Sequence, residues 1–499
     1  MKKFGKILII TGVLIFLGVL LLKFLYPGGF KIKFLLFSVS FHDPLKPINL
    51  SINLIFSGTL LVFIAKDTWP GWKIPVITMF TITSVLKIMR YEFFLAPGYD
   101  LGNYVSILHN IYHHGKLLDS LNQVHAFSGH IRPFLFPVSL IFLIKESPVT
   151  LLVLQAAVVS LTVPVLLRLS RFYGLDARST RLLVALFMSN IYLHHVNGFD
   201  FHLEAFAIPL VLMGIYYYEN GSLIPGVTLM FLTLTLKEDM AITWLSVGIF
   251  YMIVRKEWRR GMVVSGIAVF YGIIALYLMI RYADIQTMQK AHYSSVPHIG
   301  EVVKSGIRFL SSIGFLPLFV PGTLFAWILP LFEHLLSSRP HHFKIQFQYS
   351  ANLLPVVFWS VIFTLRKNTV VKKWLTVFAI LFSIFQSPLK LYVDLSKVSL
   401  SRRACIRKVL SEIPVNARIS CGNHISPHLA TRDGVYQFPI INRADIVILD
   451  TTWHDFTPVD EDSAWKLIRA LNNGYRVESI CGLLIFRRKS HSVFSGFFP

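Results

Sequence analysis

Asp200, His202 and Glu204 stand in FDFHLEAFAIPL (199–210), at the head of an apolar run that continues to Tyr218. An ionised group in lipid costs several kcal/mol, so these side chains need a partner, water or a polar ligand beside them. Asp200 and Glu204 are four residues apart, which puts both on one face of a helix beginning near 200 and turns His202 away. Helix capping accounts for one acid but leaves His202 and the second acid unexplained. Lys237, Glu238 and Asp239 form a second group, in LKEDM (236–240), between two apolar runs with almost no loop. A third candidate, Asp100, lies between glycines in GYDLG (98–102); a tight turn would present it, and an Asx-turn is the plainer account. His125, His130 and Arg132 follow in the same polar stretch, and PHHFKIQFQYS (340–350) supplies His341, His342, Lys344, Gln348 and Tyr349. A carboxylate can take a proton from an acceptor, and Lys or Arg can meet negative charge developing on a phosphate. A divalent cation would suit the acids, but no HExxH or Cys/His spacing requires one, and the identity of any metal stays open.

The elements that must position these groups are transmembrane. The chain has 499 residues, 54% hydrophobic and only 15% charged, whereas soluble domains carry about a quarter charged residues. Apolar stretches near the length of a bilayer core are expected at 7–26, 49–66, 73–92, 148–169, 181–196, 203–219, 223–237, 240–255, 262–281, 303–319, 322–337, 351–366 and 371–388. The first reads as an uncleaved anchor. RPFLFPVSLIFLIKE (132–146) is short and holds two prolines, so it is expected to be re-entrant or interfacial, within a large outer loop at 93–147. The basic loops RLSRFYGLDARSTR, RKEWRR and RKNTVVKK belong in the cytoplasm by the positive-inside bias. That choice sets the N-terminus inside and everything after residue 388 outside. It also leaves no histidine in a cytoplasmic loop, although the histidines did not enter the assignment. The net charge of +22 fits basic loops at anionic lipid headgroups better than a nucleic-acid partner.

After residue 388 the composition changes. SRRACIRKVLSEIP (401–414) reads as an amphipathic helix, 417–421 and 444–450 as strands, EDSAWKLIRALNNG as a helix, and YRVESICGLLIFRRK as a hairpin turned at Gly482. The expected architecture is an all-α polytopic membrane bundle of about thirteen helices with a small extracytoplasmic α/β domain. Its parts are anchor helices at 1–72, a transmembrane domain at 73–388 and the outer domain at 389–499. Cys405, Cys421 and Cys481 permit one disulfide whose pairing is open.

YDLGNY, FDFHLEAFAIPL, LKED, QFQYSANLLP, NHISPHLATRDGVYQFP and ADIVILD, in this order and spacing, resemble an uncharacterised family of prokaryotic predicted membrane proteins. That family is itself similar to the GT-C polyprenyl-phosphate-sugar glycosyltransferases. The resemblance implies sugar transfer from a polyprenyl-phosphate donor to a glycan, lipid or protein acceptor, at the outer face of the plasma (inner) membrane. It places the candidate base at Asp100. Arg132 and Lys237 become phosphate partners, and Asp200, His202, Glu204, Glu238, Asp239, Gln348 and Tyr349 a substrate-binding shell. The chain departs from the pattern at Leu101, where many GT-C enzymes have a second acid, at Leu203 and at His130-Ile-Arg-Pro133. Asp100, Asp200, His202, Glu238 and Asp239 are expected around one cavity. The competing readings are a transporter or flippase of lipid-linked or anionic solutes, and a non-catalytic assembly or sensor protein.

Overall fold

The computed structural model describes residues 2–25, 31–33, 38–40, 54, 58, 71–282, 299–366, 369–386, 399–441 and 443–489. The expected span at 49–66 (residues 54 and 58 apart), the boundary near residue 388, and His42, His292 and His298 lie outside them. By length and composition, three described helices can each cross a bilayer alone: Lys73–Glu92, Pro148–Phe172 and Trp258–Tyr282. Pro340–Ala351 and Leu354–Arg366, bent by 79° to one another, would make a fourth as one broken span. Trp258–Tyr282 leaves Phe270, Ile273, Tyr277 and Ile280 uncovered, a surface that suits lipid and would be adhesive in water.

Other apolar stretches are built from shorter pieces, and the breaks have local causes. Asn190 stops the helix Ala177–Ser189, and its Oδ1 accepts from the backbone N–H groups of Tyr192 and Leu193 to start the helix Ile191–Gly198. Ser147 caps Val149 with Pro148 in the first turn, so the 148–172 helix begins where the outer loop ends. Residues 135–143 form two short helical pieces, a length that cannot span. The spans expected at 303–319 and 322–337 are not continuous helices. The helix Ile299–Ser311 gives way at Gly314 and Phe315, both at positive φ, to single turns at 316–319 and 321–326 before the helix Ile328–Leu335. Pro317 and Pro321 supply no backbone N–H to carry a longer helix through.

The C-terminal domain, the one expected outside the membrane, is a five-stranded sheet in the order Val435–Gln437, Ile419–Cys421, Ile446–Asp450, Leu483–Arg488, Tyr475–Ile480. The first three strands are parallel and the last two antiparallel additions. Cys481 and Gly482 form a two-residue hairpin loop with both φ angles positive, as a right-twisted hairpin favours. Cys481 is disulfide-bonded to Cys405, and Cys421 is buried as a free thiol. The helix Leu400–Ser411 fastens this domain to the end of Lys73–Glu92: Arg403 and Arg407 both pair with Glu92. The His428 ring packs between Tyr91 and Phe94, with centroids 4.1 Å from each.

Candidate functional site

Asp100 sits in one π-helical turn, Gly98–Gly102, that leads into the helix Asn103–His114. Neither flanking glycine has positive φ, so the expected reason for them needs correcting. Gly98 is required because the C-terminal sheet domain comes too close: a Cβ there would lie 1.6 Å from Ser426 Oγ and 2.8 Å from Asn423 O. The Gly98 N–H donates to Asn423 O at 2.6 Å and the Tyr99 N–H to Asn423 Oδ1 at 2.9 Å. One outer-domain asparagine therefore holds the turn that presents Asp100.

Opposite Asp100 is His202, with Nε2 3.3 Å from Asp100 Oδ1. His202 is extended (φ −143°, ψ 132°), and the helix starts only at Leu203. This overturns the expectation that Asp200 and Glu204 share a helical face. Gln155 fixes the segment, its Oε1 accepting from the His202 N–H at 2.8 Å and its Nε2 donating to Val196 O at 3.0 Å. His202 Nδ1 is buried without a hydrogen-bond partner among the described residues.

Glu204 is buried behind His202 and gathers charge from three directions. Arg132 donates to its Oε1 at 3.2 Å, Tyr104 Oη to its Oε2 at 3.4 Å, and Lys237 Nζ lies 3.9 Å away. The Arg132 guanidinium also lies over the Tyr104 ring at 5.0 Å, while its buried Nε has no hydrogen-bond partner among the described residues. Lys237 pairs with Asp239 at 2.7 Å. Glu238 turns back to the outer loop, accepting from His130 Nδ1 at 2.6 Å and from the Ile131 N–H at 2.9 Å. Each of these carboxylates is met by a basic side chain or a backbone donor of the chain.

Beside this cluster lies a cavity of 490 Å³. Asp100, His202, Arg132, Gln348 and Tyr349, all expected site residues, line it. Glu204, Lys237, Glu238 and Asp239 do not line it; they form the layer that holds Arg132 and His130, which do. Asp200 also departs from the expected single ring. Its carboxylate lies 3.9 Å from Arg90, on a helix that also buries Lys87, and Arg90 donates to Gly198 O.

Several lining residues were not singled out from sequence. Tyr99, Asn103 and Tyr104 belong to the YDLGNY motif and could have been named with it. Asp119, Asn122 and Arg339 carried no recognisable spacing. Asp119 is buried, which pushes its carboxyl from 3.8 up to about 6 against hydrogen bonds from Asn122 and the Leu121 N–H. Asn122 in turn donates to Asn103 Oδ1 at 2.9 Å, tying the loop floor to the Asp100 helix.

Comparison with known proteins adds two findings. The family model described as predicted membrane protein (DUF2079) matches residues 90–307 and 306–479. Among solved structures, the chain is similar to the crystal structure of ArnT from Cupriavidus metallidurans bound to undecaprenyl phosphate, with a TM-score of 0.53 at 11% identity. The match covers 85% of this chain and 99% of that one. At that identity the likeness concerns fold alone, a GT-C arrangement of helices with a small sheet domain. No curated protein matches.

Proposed function

The chain belongs to the DUF2079 family of predicted membrane proteins and has the GT-C fold, and from that premise we propose that it is a membrane glycosyltransferase. It takes a sugar from a polyprenyl-phosphate donor and passes it to a glycan, lipid or protein acceptor at the outer membrane face. The observation that supports this best is that one 490 Å³ cavity is lined by both the Asp100 carboxylate and the Arg132 guanidinium. Asp100 is 28% exposed and reaches the cavity, so it can take the acceptor's proton as the acceptor oxygen bonds to the sugar's anomeric carbon. The bond from that carbon to the phosphate oxygen breaks, and Arg132 and Arg339, both lining the cavity, meet the charge left on the polyprenyl phosphate. The Arg132 Nε–H has no hydrogen-bond partner among the described residues, and the guanidinium keeps its charge whatever its partners.

His202 holds Asp100 by a 3.3 Å contact, and Gln348 and Tyr349 offer polar contacts to the sugar or acceptor. Lys237, Glu204, Glu238 and Asp239 act from the layer behind, keeping Arg132 and His130 in place. The lipid chain of the donor stays in the membrane. The experiment is sugar transfer in proteoliposomes from a panel of polyprenyl-phosphate sugars, with donor binding measured separately. Asp100→Asn keeps size and hydrogen bonding but loses basicity, so transfer should fall by about 10²-fold or more while donor binding holds. Full turnover by that variant would remove Asp100 from the mechanism.

A further inference from the structure

A second cluster lies at the far end of the helix that begins beside Asp100. His109 and His113 are four residues apart on Asn103–His114 and so share one face. Glu146, from the end of the outer loop, reaches both: His109 Nδ1 is 2.5 Å from Oε1 and His113 Nε2 is 2.9 Å from Oε2. The other nitrogen of the same ring, His109 Nε2, lies 3.4 Å from Asp433 Oδ1 in the outer domain. His114 Nε2 approaches that oxygen too, at 3.1 Å.

We propose that His109 Nδ1, His113 Nε2 and Glu146 bind one divalent transition-metal ion of the zinc class, with Asp433 orienting the shared imidazole. Two neutral imidazoles and one carboxylate are a donor set such ions take, and a solvent-facing fourth position suits water. The three ligand atoms lie within 4.8 Å of one another. Tetrahedral zinc holds its ligands about 3.3 Å apart, given bonds of about 2.0–2.1 Å. Small side-chain rotations close the difference, and His113 and Glu146, 40% and 26% exposed, are free to make them. A carboxylate on the non-ligating nitrogen fixes the tautomer and strengthens the metal-binding one, which is the place Asp433 occupies.

The alternative trio of His109, His114 and Asp433 leaves Glu146 as the orienting acid. The first trio is favoured because both of its imidazoles already sit within 2.9 Å of one carboxylate. Ion pairing alone is a weak reason for such convergence, since exposed pairs are worth about 0–1 kcal/mol. His109 and His113 follow the end of the Asp100 turn by 7 and 11 residues, so the cluster stands about 10–16 Å along the helix from it. The metal is therefore a staple joining that helix, the outer loop and the outer domain, and holds whatever reaction the cavity performs.

The test uses untagged full-length protein in detergent, stripped with EDTA and titrated with Zn²⁺ alone by calorimetry. One equivalent should bind. His113→Ala and Glu146→Gln should each weaken binding by at least about 10-fold, and Asp433→Asn by about 10-fold, as loss of an orienting partner does. His114→Ala should leave affinity unchanged, and Co²⁺ in place of Zn²⁺ should give the visible bands of a tetrahedral site. No stoichiometric binding would mean ion pairing only and overturn the proposal. Binding that survives His113→Ala but fails in His114→Ala would overturn the ligand assignment.

Discussion

At Lys237 one ammonium lies 2.7 Å from Asp239 and 3.9 Å from Glu204, with all three groups buried. Removing it leaves two carboxylates without their shared cation, a loss that typically costs about 3–5 kcal/mol. Lys237→Ala should therefore lower the thermal unfolding midpoint in detergent markedly, whereas Asp100→Asn should leave it near wild type. Equal midpoints for the two variants would contradict the layered arrangement. Asp119 predicts a pH effect of definite sign. Its carboxyl is raised to about 6 in the folded protein from 3.8, so between those values the unfolded chain holds fewer protons. Stability should fall as pH rises through that window and level off above it, by about 3 kcal/mol at most for this group. Asp119→Asn should remove that slope when unfolding is followed from pH 4 to pH 7; an unchanged slope would exclude Asp119 as its source.

The elements explain which parts of the site could be read from residue order. Asp100, His202, Arg132, Gln348 and Tyr349 were legible because polar groups in an apolar chain need a reason to be there, and the cavity brings all five together. Asp200 was misplaced because the helix phase was carried back through an extended segment: residues before Leu203 do not follow a 3.6-residue period. The strand Val435–Gln437 has three residues, too few to show an alternating pattern. The spans expected at 303–319 and 322–337 are mostly apolar, yet hydropathy does not register the breaks at Gly314, Phe315 and the two prolines. Nor could order reveal that Gly98 faces Ser426, since only packing decides it. Gly98→Ala places a methyl 1.6 Å from Ser426 Oγ, so the outer domain should loosen from the Asp100 turn. Limited proteolysis of detergent-solubilised protein should release the outer domain faster than from wild type. Gly266→Ala, with nothing within 4 Å of its Cβ, serves as the control and should change nothing.

For the molecule as a whole, the fold and the family match agree with the helical membrane bundle and small C-terminal sheet domain expected from the sequence. Orientation is the part to be measured. The positive-inside bias puts RKEWRR in the cytoplasm and the sheet domain outside. The native background is favourable, because Cys405 and Cys481 are bonded and Cys421 is buried. In whole cells, Asn416→Cys should react with a membrane-impermeant maleimide and Arg259→Cys should not; the reverse would invert the topology. The contact between the Asp100 turn and Asn423 has a consequence for how the protein is made. Tyr99 and Asn423 are 324 residues apart, so a ribosome has finished nearly all of the bundle before the partner of that turn exists. A chain halted after the last apolar helix would carry every side chain that lines the cavity, yet it would lack the asparagine that holds the Asp100 turn. If the cavity transfers sugar as proposed, newly inserted protein should acquire that activity late, only after Asn423 has been made and the sheet domain has docked.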